Sequence, residues 1–81
     1  MASFEIVLWI YNLSLHLLVT PLDSKFYRFK VEAIRSGNGA TILKYLPDRS
    51  WVAEQVGMKC FTKEYINQLG KLIELEKPEL F

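Results

Sequence analysis

The residues best suited to chemistry in this chain are Cys60 and His16, its single thiol and its single imidazole. Together they could make a thiolate nucleophile and its general base, provided they touch and a third group orients the ring. Each lies in an apolar neighbourhood, which reads instead as a buried thiol and a histidine on the rim of a strand. One cysteine and one histidine are also too few for structural zinc, which takes four such ligands. The nine acidic residues are scattered, and no spacing sets two of them on one core-facing wall. Ser36-Gly37-Asn38-Gly39 is followed by a strand pattern, whereas a phosphate cradle of the Walker or dinucleotide type opens a helix. These readings give no catalytic residue, no metal, no cofactor and no small-molecule substrate, and an enzyme is not expected.

Binding chemistry is better represented. Residues 25–49 carry Lys25, Arg28, Lys30, Arg35, Lys44 and Arg49 against only Glu32 and Asp48, although the whole chain is formally +1. Arg28, Lys30 and Lys44 would share the outer face of a hairpin with Phe26, and Lys25, Arg35 and Arg49 would fringe it. Cations interleaved with an aromatic on a sheet are how small β-domains hold single-stranded nucleic acid. The patch Phe26, Arg28, Lys30, Lys44 and Arg49 is therefore one candidate site. Glu32 interrupts it, and a solvated face that deters edge pairing needs the same residues.

A second nucleic-acid reading rests on residues 50–76. Val52-Ala53-Glu54-Gln55-Val56-Gly57-Met58 resembles the first helix and turn of a helix-turn-helix, with a small residue, an apolar residue three on, then glycine. Lys63 departs from that pattern where a buried aliphatic residue belongs. Thr62 to Lys77 holds three lysines and three glutamates, so it lacks the positive charge of a recognition helix.

The third signal is an apolar excess. Phe4 to Val19 is apolar at nearly every position up to Tyr11, too much for one face of one strand in a domain this size. Phe4, Ile6, Leu8, Trp9 and Ile10 are accordingly the candidate partner-binding residues, facing a protein partner or a second copy of the chain.

Eighty-one residues, half of them apolar, make one domain over 1–81 with a modest core. Period-2 patterning from Tyr11 to Leu17 reads as strand. Residues 4–19 could then be one bent strand, two strands broken near Asn12, or a buried helix. In 25–47 the alternation predicts a hairpin turning on Gly37-Asn38-Gly39, with Gly39 in the left-handed position of a G1 bulge. That register faces Ile34 with Ile42, Ala33 with Leu43, Glu32 with Lys44, Val31 with Tyr45 and Lys30 with Leu46. Asp48 or Ser50 would cap a short helix through Val56, or the segment would simply turn, with Gly57 closing it, although Trp51-Val52-Ala53 would also suit a strand. Thr62 caps a helix with Ile66, Leu69 and Ile73 as its stripe, ended by Pro78, and Gly70 implies close packing on the sheet.

The expected fold is α+β: a three- to four-stranded antiparallel β-meander packed against a C-terminal helix, with a short helix or turn between. The expected role is a small regulatory protein acting through protein contacts, as a homodimer in one version, with nucleic acid as the alternative partner. The apolar run is too short and too interrupted for a membrane span. With no basic leader before it and a lone cysteine, a cytoplasmic location is expected.

Overall fold

The computed structural model describes residues 3–23, 27–34, 39–57 and 62–81. Five strands follow one another as β1 (Phe4–Ile10), β2 (Leu13–Asp23), β3 (Arg28–Ala33), β4 (Thr41–Tyr45) and β5 (Trp51–Gln55). The helix α1 (Lys63–Glu76) and a 3-10 turn, Pro78–Leu80, complete the chain. The sheet is an antiparallel meander in the order β1-β2-β3-β4-β5, and α1 packs on β5, β1 and β4. Five strands laid flat would set their edges roughly 19 Å apart, beyond the reach of one helix about 10 Å across. Contact with both edges therefore requires the sheet to curl around α1. The meander with a C-terminal helix is the expected α+β arrangement, with five strands in place of three to four.

One face of the curl is apolar. Ile6, Leu8, Leu17, Val19, Phe29, Val31, Leu43 and Trp51 are buried against Ile66, Leu69 and Ile73 of the helix. The helix begins where Thr62 predicts, with Tyr65 N–H donating to Thr62 Oγ1 at 3.5 Å. It ends before Pro78, where Lys77 N–H still reaches Ile73 O at 2.9 Å.

Residues 4–19 resolve into two strands broken at Tyr11-Asn12. Ile10 faces Leu13, so these two residues form the whole loop, and Tyr11 takes a left-handed φ of 55°. A two-residue hairpin turn suits the twist of its strands when its first central residue has positive φ, a place that glycine fills without strain. Tyr11 is 92% exposed and so contributes little burial there. Tyr11→Gly is expected to stabilise the fold by about 0.5–1 kcal/mol, the left-handed penalty less the added chain entropy of glycine. A lower urea midpoint for the variant would contradict this.

β2 runs through Pro21 to Asp23, although proline lacks the N–H a ladder uses. Ile34 N–H donates to His16 O at 3.2 Å, so the even positions of β2 bond toward β3 and the odd ones toward β1. The missing N–H of Pro21 would point toward β1, and β1 stops at Phe4, opposite Val19. A proline costs no ladder bond there.

Three expectations need correction. The β3–β4 register lies four residues away from the predicted one: Val31 faces Thr41, Lys30 faces Ile42, Phe29 faces Leu43 and Arg28 faces Lys44. An even slip keeps every side chain on its face, so alternation alone could not choose between the two. The predicted Glu32–Lys44 pair is worth a few tenths of a kcal/mol. The observed register instead sets Phe29 beside Leu43, with its ring centroid 5.5 Å from that of Trp51, and burying each such side chain contributes roughly 1.5–3 kcal/mol. Secondly, Gly39 has no positive φ and is not the pivot of a G1 bulge, while Gly37 and Asn38 lie outside the described residues.

Thirdly, 51–55 is not a short helix but strand β5, with Tyr45 opposite Trp51 and Leu43 opposite Ala53. The type I turn with a left-handed third residue does occur, at Pro47-Asp48-Arg49. Arg49 N–H donates to Leu46 O and Leu46 N–H to Ser50 O, both at 2.9 Å, and Arg49 has φ 68°. Asp48 Oδ1 accepts from Ser50 N–H at 3.0 Å and from its hydroxyl at 2.5 Å. These bonds, the hydroxyl's first, hold the Asp48 carboxyl below the usual carboxylate range. Because β5 is a strand, the resemblance of 50–76 to a helix-turn-helix loses its first helix.

Candidate interaction surface

β1 is an edge strand seven residues long, and its chemistry follows from the alternation already described. The odd positions of β2 bond to Phe4, Ile6, Leu8 and Ile10, the residues that face them. In an antiparallel ladder the remaining β1 residues then aim their N–H and C=O groups the other way. Among the described residues, no backbone group pairs with the outward N–H and C=O groups of Glu5, Val7 and Trp9 along the open edge. Proteins usually blunt such an edge with charge or proline, and here Glu5 is the only charged residue between Phe4 and Ile10.

The side chains of the predicted partner site divide. Ile6 and Leu8 are 5% and 2% exposed and belong to the chain's own core, so they are not free to meet a partner. Phe4 and Ile10 are half-buried against that core, and Lys77 Nζ lies 5.6 Å above the Phe4 ring. Trp9 alone of the five is open, at 63% exposure, and it is joined at the hairpin tip by Tyr11 and by Leu13 at 74%. The apolar surplus in the sequence thus serves two ends, because α1 covers the even positions of β1 while Trp9 remains uncovered. Alternation does not mark Tyr11 and Leu13 as exposed, because it does not show that the chain turns back at Tyr11-Asn12.

A groove of about 400 Å³ runs beside this edge, where β1 meets the helix. It is lined by Val7, Leu8 and Trp9 from the strand and by Asn67, Gln68, Lys71 and Leu72 from α1. The strand wall is apolar and the helix wall carries amide and ammonium groups. The surface exposed within the groove is nonetheless almost wholly apolar, so side chains of an added strand would find a greasy trough there.

The basic hairpin face is assembled in part. Arg28, Lys30 and Lys44 lie on the outer surface of the sheet, with Arg28 directly opposite Lys44. Arg28 Nε is 2.7 Å from Glu54 Oε2, and Lys30 Nζ is 3.3 Å from Glu32 Oε1. Two of the three cations are thereby neutralised on the surface. Arg49 stands apart from them, at the β4–β5 turn beside Tyr27, Tyr45, Glu74 and Phe81. Phe26, Lys25 and Arg35 lie outside the described residues.

His16 also sits on the outer face, with Nδ1 2.9 Å from Glu5 Oε1 across the strand pair and both side chains about half exposed. Cys60 lies outside the described residues. Among the described residues no group of three His, Cys, Asp or Glu side chains could hold a metal ion, and no helix is long and apolar enough to cross a membrane.

No protein-family model, no curated protein and no solved structure matches this chain.

Proposed function

We propose that this chain is a non-enzymatic binding protein that acts by pairing its β1 edge with a strand of another protein or of a second copy. The observation that carries the reading is the free backbone edge of Glu5, Val7 and Trp9 beside an apolar groove. Strand addition takes its affinity from main-chain hydrogen bonds and its selectivity from pockets for side chains, and the unpaired β1 groups beside the apolar groove support that reading. A second copy is the simplest partner, since two β1 edges related by a two-fold axis would pair antiparallel and close the assembly. With the axis at Val7, Glu5 would stand opposite Trp9 of the other copy, so no like charges meet.

Sedimentation velocity over a wide concentration range, with amide exchange read on β1, tests this. The wild type is expected to dimerise as concentration rises, and the Glu5, Val7 and Trp9 amides should become protected as it does. Val7→Lys places a gatekeeping charge on the edge without touching the buried residues. It is expected to remain monomeric with an unchanged melting temperature. Unprotected β1 amides at every concentration, with no difference between Val7→Lys and wild type, would refute the self-pairing form.

A further inference from the structure

Five aromatic side chains gather at the end of the sheet away from the β1–β2 tip. Phe29 and Trp51 are buried beneath, and Tyr27, Tyr45 and Phe81 rim an open depression of about 270 Å³ whose other walls are Arg49 and Glu74. The Tyr27 and Phe81 rings lie within 15° of parallel with centroids 6.3 Å apart. Tyr45 stands nearly edge-on to both, at 5.8 Å from Tyr27 and 4.9 Å from Phe81. Glu74 Oε2 accepts from Trp51 Nε1–H at 3.2 Å and lies 3.5 Å from Lys71 Nζ. Its Oε1 makes no hydrogen bond among the described residues.

The backbone singles out the same place. Three non-glycine residues have positive φ among the described residues, and two of them, Tyr27 at 51° and Arg49 at 68°, are walls of this depression. Arg49 occupies the turn position where glycine would be free of strain. Left-handed backbone at bulky residues persists where the surrounding structure imposes it, and it gathers at ligand clamps.

The lining decides what could bind. Aromatic faces with a carboxylate would suit a quaternary ammonium ion, but Arg49 would repel it. A planar heteroaromatic ring with N–H donors on its edge and an anionic tail matches an aromatic face, a carboxylate and a guanidinium. We infer that the depression holds a nucleobase and its phosphate, with the ring stacked on the outer face of Tyr27, whose inner face lies against Phe81, Glu74 Oε1 accepting from base-edge N–H groups, and Arg49 meeting the phosphate. Guanine fits Glu74 better than uracil, because its N1–H and N2–H groups share the edge that faces Oε1, whereas the single ring N–H of uracil is flanked by two carbonyl oxygens that a carboxylate repels. The base could come from a free mononucleotide or from a single strand. The inference is independent of the β1 edge.

Titration of the full chain carrying Trp9→Phe tests it, since Trp51 beneath the pocket is then the remaining tryptophan. Guanosine monophosphate is expected to quench Trp51 saturably, at least tenfold more tightly than uridine monophosphate and several-fold more tightly than guanosine. Tyr27→Ala should weaken binding at least tenfold. Arg49→Gly should raise the melting temperature and yet make the monophosphate bind no better than guanosine, a combination that a purely structural arginine would not produce. An eight-nucleotide GU-repeat strand that binds more than tenfold tighter than the mononucleotide assigns the base to a nucleic acid, and equal affinity assigns it to a free nucleotide. The inference is overturned if neither probe gives saturable quenching up to millimolar concentration. Binding indifferent to both Tyr27→Ala and Arg49→Gly overturns it equally.

Discussion

Gly70→Ala is expected to destabilise the fold by about 3 kcal/mol, in a helix where that exchange would ordinarily be worth about 1 kcal/mol of gain. A β-carbon on Gly70 would lie 2.2 Å from both Cδ1 and Cγ of Trp51 and 2.4 Å from its Cδ2. The indole is in no position to retreat. It is 3% exposed, its ring centroid lies 5.0 Å from that of Tyr45 and 5.5 Å from that of Phe29, and its Nε1 is bonded to Glu74. Either α1 lifts from β5 or the aromatic cluster comes apart, and each route exposes apolar area. The attribution can be checked by a double-mutant cycle measured by urea unfolding. In a Trp51→Leu background the smaller side chain leaves room, so Gly70→Ala should there be neutral or stabilising, with a coupling of a few kcal/mol. A Gly70→Ala variant as stable as wild type would show that the helix does not press on Trp51 at this point.

That glycine was legible in the sequence and its partner was not. A glycine inside a helical stripe implies close packing, because its helix-propensity cost has to be offset by something. The identity of the neighbour depends on where β5 runs, and Trp51-Val52-Ala53-Glu54-Gln55 suits a helix as well as a strand. Local pattern resolved what is local: the alternation of β3, the Thr62 cap and the stripe of α1, while it left 4–19 open between one strand, two strands and a helix. It did not resolve choices made by packing across the sheet. The β3–β4 register is the clearest case, since a slip of four residues changes no side chain's face and the deciding contact, Phe29 with Trp51, joins residues far apart in sequence.

The two surfaces differ in the same way. The β1 edge could be suspected from its apolar run alone, although only the strand order shows which side chains the helix covers and which it leaves open. The aromatic depression left almost no mark in the sequence. Its walls come from positions 27, 45, 49, 74 and 81, which no periodicity links, and in sequence Arg49 lies closest to the cations of the outer face. Backbone strain at Tyr27 and Arg49 is the signal that ties the walls together, and amino-acid type does not encode it.

Gly57 makes the same point where no side chain can yield, and Gly57→Ala is expected to cost about 2–4 kcal/mol. A β-carbon there would lie 2.3 Å from Ala40 O and 2.5 Å and 2.6 Å from Gly39 C and O. All three are backbone atoms, so the strain cannot be released by a rotamer change. Gly57 N–H also donates to Thr41 Oγ1 at 3.1 Å, and Thr41 is completely buried at the start of β4, opposite Val31. Moving Gly57 outward to admit a methyl group would break that bond and leave a buried hydroxyl and an amide without partners, each costing about 1–3 kcal/mol. Thr41→Val separates the two effects: it removes the acceptor while keeping the shape, and should cost about 1–2 kcal/mol through the orphaned amide alone. Chemical unfolding of the two single variants and the double variant gives the answer. If the hydrogen bond is the whole role of Gly57, Gly57→Ala should add nothing in the Thr41→Val background. If the close approach of the 39–40 and 57 backbones dominates, most of its cost should remain, and the 2.3 Å contact with Ala40 O argues for that outcome.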